Sequence, residues 1–153
     1  MSTFESASIA VNHLAHALDT GRTDADYMLR RRMVRIGYDL QNEASRLQIM
    51  RAEKACVVKA GRVTTDDTIA AGANSLSLRM KKHDGAGGAQ TNVSALIDGT
   101  AVALTGDQFR SFTLNTDTSV NLAAGDCLEV EVTVNGMGAA GDMTMFEVEY
   151  EYV

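Results

Sequence analysis

The sequence predicts an α+β protein, an N-terminal helical hairpin or long helix followed by an antiparallel β-sandwich or jelly roll. Near the C-terminus, Leu128, Val130, Val132 and Val134 alternate with Glu129, Glu131 and Thr133, and Phe146, Val148, Tyr150 and Tyr152 alternate with Glu147, Glu149 and Glu151. A period of two marks a strand with one buried and one wet face. In the first third of the chain, apolar residues recur instead at spacings of three and four, the helical period. The change falls near Cys56 and divides the chain into residues 1–55, a helical anchor or oligomerisation segment, and residues 56–153, an antiparallel β-sandwich domain.

Within the first segment, Ser2-x-x-Glu5 matches a capping box, and Phe4, Ala7, Val11, Leu14 and Leu18 follow at seam spacing. Gly21 is placed to stop that helix, and Thr23-x-x-Asp26 starts a second one with acidic residues in its first turn. Leu29, Met33, Ile36, Leu40, Ala44, Leu47 and Met50 then continue the stripe. A helix of about 30 residues would be a rod of roughly 45 Å. Its stripe needs cover, either from an intramolecular hairpin folded back on the sandwich or from other copies and a host surface. Arg30, Arg31, Arg32 and Arg35 form the one dense charge run. They read as solvated surface or as contacts to acidic surface on a partner or neighbouring subunit.

The β-half opens with Cys56 to Val63, broken by Gly61, and continues with Asn74 to Met80, which points Leu76, Leu78 and Met80 inward. The glycine-rich stretch Lys82 to Asn92 reads as a surface loop. Asp98-Gly99 between Val93–Ile97 and Thr100–Leu104 is the strongest hairpin signal. Phe109–Leu114 and Ser119–Leu122 are short strands, and Asn135 to Asp142 links the last two strands as a long loop or wide hairpin. Seven or eight short strands at roughly eight- to twelve-residue spacing suggest a sandwich or jelly roll. No helix-length segments separate them, which disfavours a parallel sheet.

Composition narrows the function classes. The chain has 153 residues, 45% hydrophobic, enough for one core of ordinary size. No apolar run is long enough to span a membrane, and no basic cluster precedes the apolar positions of the N-terminus, so neither a membrane span nor a secretory signal is expected. Residues 1–59 hold nine Lys/Arg and seven Asp/Glu, a net charge of +2, and residues 60–153 hold five and thirteen, a net charge of −8. An acidic β-half argues against nucleic-acid binding, which depends on clustered cations. Cys56 and Cys127 match no metal or redox spacing and are expected as buried free thiols.

The residues supply no catalytic motif. The only histidines are His13, His16 and His83, and no Gly-x-Ser-x-Gly elbow, phosphate-binding loop or His-Glu-x-x-His helix occurs. His83-Asp84 sits in a glycine-rich loop unsuited to holding a triad. His13 and His16 lie one turn apart without a third ligand, and the Gly-Asp steps at 106–107, 125–126 and 141–142 read as turns rather than calcium ligands. No catalytic, cofactor or metal residues are therefore expected. Glu129, Glu131, Glu147, Glu149 and Glu151 would repel one another unless they face water or an Arg-bearing partner. Phe109, Phe112, Phe146, Tyr150 and Tyr152 are most easily placed in the core.

Four pieces of the β-half carry a resemblance: Asp98-Gly-Thr-Ala-Val-Ala, then Phe112-Thr-Leu-Asn, then Val120-Asn-Leu-Ala-Ala-Gly-Asp-Cys-Leu-Glu-Val-Glu-Val-Thr-Val-Asn-Gly, and the terminal Phe146-Glu-Val-Glu-Tyr-Glu-Tyr. Together they resemble the β-sandwich domains of tailed-bacteriophage virion proteins, especially capsid decoration (cement) and head-fibre proteins. The likeness spans roughly Ala95 to Val153. It implies a non-enzymatic structural protein, often trimeric, that binds a major capsid protein or other virion protein and stabilises the head shell. The implied location is the capsid surface, after assembly in the host cytoplasm, with no cofactor, nucleic acid or membrane involved. Phe4, Val11, Leu14, Leu29, Arg30, Arg31, Arg32, Met33, Arg35, Ile36, Leu40 and Leu47 are the expected oligomer or partner contacts. A head-fibre or tail-associated protein that grips a host glycan through the 82–92 and 135–142 loops is the alternative. A small esterase or lyase finds no encouragement.

Overall fold

A computed structural model describes residues 31–39, 44–136 and 143–153. Residues 33–153 cluster as one unit. The strands are β1 (Arg31–Asp39), β2 (Ser45–Arg51), β3 (Cys56–Thr65), β4 (Ser75–His83), β5 (Thr91–Asn92), β6 (Arg110–Ser111), β7 (Asn121–Leu122), β8 (Cys127–Asn135) and β9 (Met143–Tyr152). They form a larger sheet in the order β1-β9-β3-β6, with β7 also on β3, and a smaller sheet in the order β2-β8-β4-β5. The successive strands β1/β2, β3/β4, β5/β6 and β8/β9 each fall in opposite sheets, and the first strands lie beside the last ones. That wrapping is a jelly roll.

The fold class therefore differs from the α+β expectation. Arg31–Asp39 and Ser45–Arg51, which suit one long helix by their spacing, are strands of the sandwich. The only helix among the described residues is the 3₁₀ turn Thr118–Val120. Arg, Met, Leu and Gln in this segment do favour helices. The β-branched and aromatic positions Val34, Ile36 and Tyr38, alternating with Met33, Arg35 and Gly37, carry the opposite signal. Packing decides in favour of the strand: Val34, Ile36 and Tyr38 lie against the core while Met33 is 53% exposed. Tyr38 meets Phe146 with tilted rings, centres 6.3 Å apart. Its hydroxyl donates to the Gln48 carbonyl on β2, tying the two sheets together at this edge.

The two alternating strands of the C-terminal part are β8 and β9, with the expected residues inward. Leu128, Val130, Val132, Phe146 and Val148 are all buried. They do not pair with each other, however. β8 sits between β2 and β4, with Val130 opposite Leu47 and Met80, and β9 pairs with β3, with Phe146 opposite Val63. Strands in opposite sheets cannot form the wide hairpin that Asn135 to Asp142 suggests; residues 137–142 of that link lie outside the described residues.

Other expectations change as well. β3 runs through Gly61 to Thr65. The segments Phe109–Leu114 and Ser119–Leu122 form strands of only two residues each, β6 and β7, with Leu114 bridged to Ser94 besides, and Phe109, expected inside, is 52% exposed. The Asp98-Gly99 hairpin is absent: Ile97 pairs with Leu78 and Leu104 with Ile69. The Asp98 carboxylate accepts from Thr100, and its carbonyl accepts from the Ala101 and Val102 N–H groups, so the turn itself forms. Its flanking residues bond to β4 and to Ile69 instead of to each other.

Gly61 marks a close approach of the sheets. A Cβ there would sit 2.5 Å from the Met80 sulfur on β4 and 3.4 Å from Phe112. Gly99 serves the smaller sheet in the same way, because a Cβ would fall 2.0 Å from the Leu76 carbonyl oxygen.

Gly61→Ala is expected to lower the unfolding free energy by about 1–3 kcal/mol in urea titration. Combined with Met80→Ala it should cost less than the two separate losses together, since the obstructing sulfur is gone. Ile36→Ala should cost about 1–2 kcal/mol and Met33→Ala under about 0.5 kcal/mol; equal losses would contradict the strand assignment.

Candidate assembly surface

Five carboxylates leave the two alternating strands on outward faces, and the sandwich supplies each face with its own cations. On the larger sheet, Glu147 is only 4% exposed. β9, which carries it, lies between β1 and β3. Arg35 from β1 donates to Glu147 Oε2 through Nη2 at 2.5 Å and Nε at 3.2 Å. Arg62 from β3 donates through Nη1 to Oε1 at 2.6 Å and lies 3.4 Å from Glu149. Lys59 stands 3.3 Å from Glu151. The Arg35 hydrogen bonds, and then those of Arg62, hold the Glu147 carboxyl below its usual range against the opposing effect of burial. The glutamates need an Arg-bearing partner, and at Glu147 that partner is the same chain.

The smaller sheet repeats the scheme. Glu131 on β8 stands opposite Arg46 on β2 and Arg79 on β4, and Lys81 Nζ donates to it at 2.7 Å. Glu129, also buried, accepts from the Gln90 amide and lies 3.6 Å from His83 Nε2. A shallow depression of about 280 Å³ opens beside this ladder, lined by Ala44, Ser45, Arg46, Glu131, Val132 and Thr133.

Of the residues expected to make contacts, Phe4, Val11, Leu14, Leu29, Arg30 and Leu40 lie outside the described residues, as do His13 and His16. Arg31 is the first residue of β1. Arg32 and Met33 are exposed, Arg35 is half-exposed on Glu147, and Ile36 and Leu47 belong to the core margin. The expected seam is thus split, with Met33 outward and Ile36 and Leu47 inward, while Arg35 of the arginine run faces outward beside Met33. Arg62 and Lys81 do not stand out in the sequence. Alternation within β3 and β4 is enough to point them outward, but their register against β8 and β9 has no local signal.

His83 and Asp84 are engaged in loop structure. His83 Nδ1 accepts from the Gly85 N–H at 3.0 Å. Asp84 Oδ1 accepts from the Ala86 and Gly88 N–H groups, which hold its carboxyl below the usual range. The 82–92 loop expected to grip a glycan begins as the end of β4, finishes as β5, and contains no Phe, Tyr or Trp. Cys56 and Cys127 are buried and unbridged, in opposite sheets. Burial first, and then Asp126, pushes the Cys56 thiol up. Among the described residues no three His, Cys, Asp or Glu side chains gather to hold a metal ion, and no helix is long and apolar enough to cross a membrane.

The sequence matches no protein-family model and no curated protein. Its fold does match solved structures. The chain superposes on one from the capsid of Ralstonia phage GP4 with a TM-score of 0.54 and 19% identity, covering 80% of this chain and 84% of that one. It superposes on one from the cyanophage Pam1 capsid asymmetric unit with a TM-score of 0.50 and 11% identity, covering 81% and 84%. The fold is one that phage capsids contain. Coverage is reciprocal, so those chains are of nearly the same length and consist mostly of this one sandwich.

Glu147→Gln is expected to cost about 1–2 kcal/mol at neutral pH, since the arginines are partly exposed and screened. The native carboxyl is shifted down, so its contribution is complete above the ordinary value of 4.5 and is lost as the pH falls through the lower folded value. Thermal melts of the two proteins should therefore draw together as the medium is acidified below that ordinary value. A gap that does not narrow between about pH 5 and about pH 2 would contradict the arrangement.

Proposed function

We propose that this chain is a non-enzymatic phage virion structural protein, a capsid decoration or cement protein that binds the head shell and stabilises it. The observation that carries this reading is the likeness, over about four-fifths of both partners, to chains of two phage capsid structures. The physical character of the sandwich is consistent with it. The glutamates of β8 and β9 are met on both outer faces by cations of the same fold, which makes a rigid block suited to lying against a shell. The partner is then a major capsid protein or another virion protein, the protein is a homo-oligomer with a trimer favoured, and its place is the outer capsid surface after assembly in the host cytoplasm. Arg32, Met33 and Arg35, exposed on β1, are the described residues proposed to reach that partner.

Purified protein added to phage heads assembled without it should cosediment with them, saturate at a fixed copy number and raise the temperature at which the heads come apart. Heads that take up none of it, or take it up without saturation, would remove the decoration role.

A further inference from the structure

The sandwich exposes two surface features of opposite charge. The first is a loop tip. Asp66 N–H donates to the Met143 carbonyl at 3.2 Å, Asp107 N–H to the Thr65 carbonyl at 2.8 Å, and Gly106 N–H to Thr68 Oγ1 at 3.0 Å. These bonds gather the segment after β3, the segment before β6 and the start of β9 into one corner. A Cβ on Gly106 would lie 2.7 Å from the Asp66 carbonyl oxygen, so the loops are pressed together. Asp66, Asp67 and Asp107 are all exposed there, and so are two large apolar side chains, Phe109 at 52% and Met143 at 50%. Exposed apolar side chains on the same loop corner as three exposed carboxylates suit a docking knob better than a solvated turn.

The second feature is the outer face of the smaller sheet. Arg46 and Arg79 stand opposite Glu131, Lys81 opposite Glu129, and Arg51 opposite Cys127, so this face sets four cations against two carboxylates. Arg46 and Arg51 are exposed, and Arg51 Nε donates to the Gly125 carbonyl at 3.3 Å. The Nε of Arg79 is buried without an acceptor, which leaves a charged donor on this face unsatisfied. The depression beside Arg46, at about 280 Å³, falls just under the roughly 300–1,000 Å³ of small-molecule sites. It has room for one large side chain.

We infer that copies of this chain associate head to tail, the acidic tip with Phe109 of one copy docking on the cationic face beside Arg46 of the next. The chain as a whole carries −6, so copies repel except where opposite signs meet, and among the described residues this face offers more cations than carboxylates. A knob on one patch and a recess on another make a heterologous contact, which closes into a ring when the rotation permits. The association deepens the homo-oligomer part of the proposed function, and it is measured on the purified chain, apart from any binding to a shell.

Sedimentation velocity of the purified chain over a range of protein and salt concentrations tests it. Self-association should be present at low salt and weaken as salt screens the contact. Arg46→Glu with Arg51→Glu, and separately Asp66→Arg with Asp67→Arg, should each abolish it while leaving the melting transition in place, because all four side chains are exposed. Mixing the two charge-reversed proteins should restore association, as the reversed face then meets the reversed tip and the unaltered tip meets the unaltered face. Phe109→Ala should weaken it by roughly 30-fold or more, as expected for an aromatic anchor. A chain that stays monomeric at the lowest salt, or an oligomer indifferent to both reversals, would overturn the inference.

Discussion

The rest of the structure depends on β8 and β9 standing in opposite sheets with their apolar rows turned to one core. They are consecutive in the chain and both strictly alternating, so Leu128, Val130 and Val132 of one sheet share a core with Phe146 and Val148 of the other. Each strand occupies an inner position in its sheet and recruits a neighbour on both sides, β2 and β4 around β8, β1 and β3 around β9. All the long strands are thereby either one of this pair or hydrogen-bonded to it. The approach of Gly61 to Met80 shows how little slack remains between the layers.

Placing those strands apart also resolves their charge. If β8 and β9 formed a hairpin, five glutamates would share one face and repel. Separated, each row lies between strands that carry arginine or lysine. Glu147 is the extreme case, almost wholly buried on an outward face because two guanidiniums from different strands cover it. Removing either partner would leave a buried charge incompletely compensated, which makes β1 part of the fold rather than an appendage. The Glu147 clasp and the Tyr38–Gln48 bond hold the first described strand to both sheets.

The assembly proposals grow from the same arrangement of surface. Among the described residues, the acidic tip with Phe109 and the cationic outer face with its recess are complementary in charge. Likeness to phage capsid chains concerns the fold; the complementarity concerns this chain's own side chains.

By itself the sequence determined which residues face the core in β4, β8 and β9, because a period of two is a local consequence of the pleat. It also determined that Asp98-Gly99 turns, since Asx chemistry is local too. Tertiary structure alone decided the rest. Residues 31–39 and 45–51 satisfy both a helical and an alternating template, and only the core surface beside Phe146 and Val130 selects the strand. The partners of Glu147 come from positions 85 and 112 residues away in the chain, and nothing local records such a register. Phe109 reads as core by its type, yet its place just before the edge strand β6 leaves it outside the two packed layers.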